Sequence, residues 1–340
     1  MTYTIYELKL KPISSWITDL TADTIFGHLC WQIKYEFWED VLKEFLKEME
    51  KKPIFTISDV LPIEIFPKIL TKFDNFISDD LKKNDEKYKE EKERIKHYLK
   101  IDFITEEVFE EISKINISSN NIKSIRDFVL WDSIKKIKKW IYSKWYKILK
   151  YINKKIENKN IINRFSWTTW DNWIYSQEYN ESWRELRILL KQIKKEINLE
   201  KYKILWKEIN FLELIRNIFE IWYWKKKSSG KWVFEITKDW EEKENLEKNW
   251  DNILLLSNFI PSKNDPINWN YKVFTKFPKM WEEFSIEWQN FYKKPLVMID
   301  KWATFEKKEN NNWYVWKMIK NVDFQNKWIY HYAYWFTLEF

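Results

Sequence analysis

Apolar and polar positions alternate from the start of the chain. Thr4, Tyr6, Leu8 and Leu10 share one side of the segment 2–10, which predicts a strand. The period changes after a loop over 11–21. Ala22, Ile25, Phe26, Leu29, Cys30 and Ile33 recur at helical spacing and predict an amphipathic helix over 22–36. Residues 53–70 hold an apolar strand candidate ending at Asp59, then a proline-punctuated turn. An apolar segment runs over Leu186–Ile193. A second helix is predicted over 205–220 from Leu205, Ile209, Leu212, Ile215, Ile218 and Phe219, and a short strand over Val233–Ile236. Beyond about 250 only strand candidates follow: Ile253–Phe259, Tyr271–Thr275, Leu296–Ile299, Tyr314–Ile319 and Ile329–Leu338.

Between these elements lie polar stretches. Residues 71–100 are dense in Lys, Glu and Asp and read as a solvated helix or linker. Residues 133–160 set many lysines between Ile, Tyr and Leu, which reads equally as a basic helix lying on RNA and as an exposed helix in a variable insert. Residues 163–183 are polar and turn-like. The strand–loop–helix opening is that of a ferredoxin-like or RRM-like fold, with the strand at 233–236 as the fourth of that domain. The strands beyond 250 form a second, smaller β-rich domain.

Composition adds three constraints. Hydrophobic residues make up 45% of the chain and charged residues 33%, the balance of a globular protein rather than a disordered one. No apolar run approaches the roughly 18 residues that cross a bilayer, and the N-terminus reads as a strand rather than a signal peptide. No membrane association is therefore expected. Cys30 is the only cysteine, so an intrachain disulfide is impossible and the cytoplasm is the expected compartment. With His28, His97 and His331 scattered, no zinc site is expected, and no cofactor. The net charge of +7 is compatible with a polyanionic partner without demanding one.

The chain has 24 Trp and 2 Gly, whereas ordinary usage would give roughly 24 glycines at this length. Trp222, Trp224, Trp232, Trp269 and Trp313 stand among turn formers, where backbone chemistry asks for glycine. A gene from a lineage that reads UGA as glycine, translated with UGA as tryptophan, would give this pattern. Tryptophan in the native protein at 222, 224 and 232 would exclude that codon reassignment.

The richest chemistry lies at 222–232. Lys225, Lys226, Lys227 and Lys231 put four positive charges beside Ser228, Ser229 and Gly230, flanked by Trp222, Tyr223, Trp224 and Trp232. With glycine at the flanking Trp positions, backbone N–H groups could approach phosphates while the lysines neutralise them. With tryptophan, the loop could stack bases instead. It reads as well as a plain charged hairpin. His28 is the sole candidate for acid–base work near a loop-rich surface, although a lone histidine on a helix flank more often packs. No phosphate loop, nucleophile elbow, zinc-protease motif or acidic metal cluster is present in the sequence, and no enzymatic activity is expected.

Several segments together resemble one family. LTADTIFGHLCW (20–31) resembles the signature helix of the fourth subunit of the type III-A CRISPR Csm effector complex, a member of the RAMP superfamily. FTISDVLP (55–62) and NRFSWTTWDNWIYSQE (163–178) are similar to its next signatures, and IWYWKKKSSGKWVFEI (221–236) to the superfamily's glycine-rich loop. SNFIPSKNDP, YKVFTKF, KKPLVMI and YHYAYWFTL resemble its second domain. Trp31 is the tryptophan the family expects. Trp16, Trp170, Trp173, Trp222, Trp224, Trp232, Trp281, Trp316, Trp328 and Trp335 stand where it has or tolerates glycine.

The resemblance implies an α+β protein of two ferredoxin-like (RRM-like) domains. These are 1–240, with helical and Lys-rich insertions near 71–165, and 241–340. It implies a non-catalytic RNA-binding subunit in antiviral defence that holds the repeat-derived 5′ handle of the crRNA. The large polymerase-like subunit and a neighbouring backbone RAMP subunit would be its protein partners. Contacts to RNA would come from Ser14, Ser15 and Asp19 in the first loop, His28, Asn163, Arg164 and the loop 222–232. Two alternatives remain: a RAMP-type endoribonuclease that processes the crRNA precursor with His28 as acid or base, and the equivalent subunit of the type III-B Cmr complex. The LCW-containing helix and the SDVLP segment favour the Csm reading.

Overall fold

The chain opens with β1 (Thr4–Pro12) and α1 (Ala22–Lys51), then the short strands β2 (Phe55–Ile57), β3 (Leu61–Pro62), β4 (Ile65–Pro67) and β5 (Phe103–Thr105). A long hairpin, β6 (Asn153–Ile162) and β7 (Thr169–Glu181), precedes β8 (Leu186–Gln192). A small hairpin, β9 (Tyr202–Ile204) with β10 (Lys207–Ile209), then leads into α2 (Phe211–Glu220) and β11 (Phe234–Glu242). The remaining strands are β12 (Asn252–Leu255), β13 (Val273–Lys276), β14 (Leu296–Ile299), β15 (Thr304–Glu306), β16 (Met318–Ile319), β17 (His331–Tyr332) and β18 (Thr337–Glu339). The structure is a computed structural model. It describes residues 3–63, 65–67, 103–105, 153–162, 169–182, 184–193, 197–220, 232–243, 252–261, 271–278, 292–306, 318–322 and 329–339.

The main sheet has the order β11–β1–β8–β2, every pair antiparallel, with β3 also paired to β8. α1 joins β1 to β2, and α2 lies between β8 and β11 in the chain. Counting those four strands, the spatial order is fourth, first, third, second. β1 is central, so both of its faces are buried. Leu8 and Leu10 are fully buried on the helix side. The opposite face carries buried Glu7, which Arg187 Nη1 (3.4 Å) and Lys243 Nζ (3.2 Å) neutralise.

The helices pack on the sheet through their apolar stripes. α1 buries Ala22, Ile25, Phe26, Leu29 and Ile33, then Val41, Leu42, Phe45, Leu46 and Met49. Between the two sets the helix kinks at Trp38 (φ 76°, ψ 165°), and Pro53 stops its continuation. α2 begins on Asn210, whose Oδ1 accepts the Glu213 N–H at 3.1 Å as an N-cap. Phe45, Phe55 and Phe211 join ring to ring at the centre, with centroids 5.1–6.4 Å apart. Each such buried ring stabilises the fold by about 1.5–3 kcal/mol.

The C-terminal stretch forms the sheet β15–β12–β18 and the ribbons β13–β14 and β16–β17. Its own cluster joins Leu255, Phe259, Ile299, Ala303, Phe305 and Trp335. It is also built into the first core. Tyr332 stacks on Phe26 at 4.6 Å, its Oη accepts the Ile57 N–H at 2.9 Å, and the Tyr334 hydroxyl donates to the Met49 carbonyl. Among the described residues no helix is long and apolar enough to cross a membrane, and no group of three or more His, Cys, Asp or Glu could hold a metal ion.

Several expectations need correction. α1 runs well past 36, because the stripe resumes after the kink. The helix expected over 205–220 begins at Phe211. Leu205, counted in its stripe, sits exposed at φ 53° in the β9–β10 turn. Residues 153–160, expected as helix, and 169–181, expected as turns, are the paired strands β6 and β7. The long segment Ile329–Leu338 holds two short strands. The stretches 71–100 and 133–152 lie outside the described residues.

Candidate nucleic-acid interface

The loop after β1 and the start of β11 are built as one piece. Ile13 and Ser14 both donate their backbone N–H to the Val233 carbonyl, at 2.8 and 3.2 Å. Ser14 Oγ accepts the Val233 N–H at 2.8 Å, and the Ser15 carbonyl accepts the Trp232 N–H at 3.0 Å. The chain therefore returns from 221–231 onto the two serines of the first loop. Ser14 is half-buried, Ser15 buried and Asp19 exposed.

Two further ties hold that loop. Trp16 exchanges backbone hydrogen bonds with Asn180 of β7, at 2.9 and 2.6 Å, and the Val60 N–H reaches the Leu20 carbonyl at 2.9 Å. The Trp16 ring lies buried against Phe234, centroids 5.9 Å apart. Ser14, Ser15 and Trp232, singled out from separate parts of the sequence, thus meet on one rim. Trp222, Tyr223, Trp224, Lys225, Lys226, Lys227, Ser228, Ser229, Gly230 and Lys231 lie outside the described residues, as do Asn163 and Arg164.

Trp232 has φ 68°, a left-handed backbone that costs an L residue other than glycine about 1–3 kcal/mol. Its side chain is buried, ring centroid 6.5 Å from that of Phe234. It turns inward rather than offering a stacking face.

His28 requires a correction. It lies on the core side of α1, 2% exposed, and burial pushes its pKa down to about 3. The ring is neutral at pH 7 and is not part of a surface that RNA can reach.

Lys154 and Lys155 of the 133–160 stretch are both paired with carboxylates. Lys154 Nζ lies 2.6 Å from Glu178 and Lys155 Nζ 3.6 Å from Glu181, across the β6–β7 hairpin. Both pairs are exposed and contribute little to stability.

A charged belt near the start of α1 escaped the sequence reading. Asp59 Oδ1 accepts the Ala22 N–H at 2.8 Å, capping α1 from 37 residues away, and Asp59 Oδ2 meets Lys301 Nζ at 3.0 Å. Asp23 receives Lys276 Nζ at 2.8 and 2.7 Å and the Thr21 hydroxyl at 2.6 Å, with His331 Nε2 at 3.7 Å. Burial opposes the Asp23 charge, but Lys276 and its hydrogen bonds hold the carboxyl down to about 2. Burial likewise opposes the charge on Lys301, and Asp59 still raises its pKa. These cations are consumed inside the fold. The available signal was an aspartate ending an apolar strand candidate, which only a distant lysine could neutralise.

No protein-family model matches the chain, and no curated protein matches it. Solved structures do. One is a Csm3–Csm4 subcomplex in the type III-A CRISPR-Cas interference complex, with TM-score 0.55 and 13% identity over 99% of both chains. Another is a Csm1–Csm4 cassette in complex with cA4, with TM-score 0.53 and 13% identity over 99% of this chain and 97% of that one. The same cassette with AMPPNP gives a TM-score of 0.51 at 14% identity, covering 99% and 98%. The neighbours in these assemblies are Csm4 chains, and at this identity the likeness is one of fold.

Proposed function

We propose that this chain is the Csm4-type subunit of a type III-A CRISPR effector complex, holding the repeat-derived 5′ handle of the crRNA without catalysing a reaction. The observation that carries the reading is the end-to-end likeness of fold to Csm4 in solved assemblies with its Csm partners. The joined rim of Ser14, Ser15 and residue 232 supports it, because it seats the C-terminal end of the Lys-rich segment on the loop that follows the central strand of the main sheet. On this reading the main sheet is that of a ferredoxin-like domain and the C-terminal stretch a reduced second one. The lysines at 225–227 and 231 neutralise the handle's phosphates. The chain docks the large polymerase-like subunit on one side and a backbone RAMP subunit on the other, in the cytoplasm.

The test is co-purification. A tagged chain is produced with its neighbouring complex genes and a guide array, and the bound RNA is sequenced. Guide RNAs with an intact repeat-derived 5′ end, recovered together with the large subunit, are expected. Replacing Lys225, Lys226, Lys227 and Lys231 with alanine is expected to lower RNA recovery at least tenfold without releasing the protein partners. A folded chain that brings down neither guide RNA nor partner refutes the proposal.

A further inference from the structure

Five residues other than glycine have a positive φ among the described residues, and three of them are tryptophan: Trp38 (76°), Trp232 (68°) and Trp302 (80°). Trp38 also has ψ 165°, a combination populated essentially by glycine alone. The other two are Leu205 and Asn321, and asparagine tolerates this region. The described glycine behaves in the opposite way. Gly27 lies in helical α1, and a Cβ added there would have nothing within 4 Å. Glycine thus stands where the backbone does not need it, and the bulkiest side chain stands where the backbone does.

Other tryptophans are of a different kind. Trp31 stacks on Tyr35 with centroids 5.7 Å apart and carries Lys34 Nζ 4.7 Å from its ring. The Trp240 indole N–H donates to the Leu212 carbonyl at 2.7 Å. Both lie in regular helix or strand without a positive φ, and it is this backbone that separates them from Trp302, whose ring also lies 5.1 Å from Lys301 Nζ.

We infer that residues 38, 232 and 302 are glycine in the protein the cell makes, the gene's UGA codons being decoded as glycine, whereas Trp31 and Trp240 are genuine tryptophans. The composition of 24 Trp and 2 Gly first raised this reading. The backbone now assigns it position by position, from torsion angles rather than residue counts. For residue 232 the inference deepens the proposed function and rests on it. A glycine there removes a bulky side chain at the end of the Lys-rich segment beside Ser15, while the N–H of residue 232 keeps its bond to the Ser15 carbonyl.

Peptide mass spectrometry decides it, on the complex isolated from cells that carry the gene. Trypsin releases the segments 35–43, 232–238 and 302–307, which report the three positions, and the segment containing Trp31 reports the control. Glycine at 38, 232 and 302 with tryptophan at 31 is expected. Tryptophan at any of the three overturns the inference, whatever the complex binds. A parallel measurement compares guide-RNA recovery for the chain as written and for the variant Trp232→Gly. Glycine in the peptides with no guide RNA on either version leaves the recoding standing and removes the RNA-binding reading, so the two failures are distinguishable.

Discussion

The rim at Ser14, Ser15 and residue 232 and the belt at Asp23, Asp59, Lys276 and Lys301 both bind distant parts of the chain together, by opposite means. The rim uses neutral backbone groups and one hydroxyl, and among the described residues no charged side chain enters its hydrogen bonds. The belt places carboxylates 1% and 9% exposed against lysine ammonium groups. A charge paired inside the fold is unavailable to a polyanion. Among the described residues the rim is held together by neutral groups and spends no charge on its own bonds. The belt is therefore structural, although it has the denser charge, and the proposed interface rests on the rim.

Breaking the belt should have the largest effect. Asp59→Ala leaves Lys301 without its partner and Ala22 without its cap, and should cost about 3 kcal/mol or more in chemical denaturation. Replacing Asp59 and Lys301 together with apolar residues should recover most of that loss. A double variant as unstable as the single one would mean that the helix cap, not the ion pair, carries the effect.

The belt also has a pH signature. The folded Asp23 pKa lies below its unfolded value near 3.9, so its contribution is fully present above about pH 4 and fades as the pH falls towards 2. Lys276→Met should flatten that part of the acid-unfolding curve. An unchanged curve would assign the acid sensitivity elsewhere.

The rim should respond less in stability and more in function. Ser14→Ala removes the acceptor of the Val233 N–H at a partly solvated site and should cost about 0.5–1.5 kcal/mol. Guide-RNA recovery should fall severalfold in the same variant; equal recovery would separate the serine from the interface. The smallest effect is expected at Lys154→Ala, in an exposed pair on β6, with no measurable change in the unfolding midpoint.

The sequence pattern made the main sheet legible where burial follows period. Leu8 and Leu10, Leu186–Ile193 and the first stripe of α1 all lie in the core as their spacing predicts. It failed where tertiary pairing overrides local pattern. The β6–β7 hairpin is polar along most of its length, and its strands exist because they pair with each other. Leu205 and Ile209 matched a helical stripe only because a turn of a small hairpin happened to fit the period. Ser14 and Ser15 were legible as loop polar residues, whereas their bonds to 232 and 233 span more than 200 residues and leave no local trace. His28 shows the converse: its helix was readable, but its side of that helix was not.

The central position of β1 sets the order in which this molecule can be made. β1 is synthesised before either of its partners, since β8 begins at Leu186 and β11 at Phe234. At ordinary synthesis rates it waits roughly 10–40 s with neither edge covered. The Ile57–Tyr332 bond, joining residues 275 apart, forms only after all of the intervening chain has been made. An exposed apolar strand held open for that long invites wrong pairing. A chain so built gains from chaperones, and from partners synthesised close by, before it gains from its own cores.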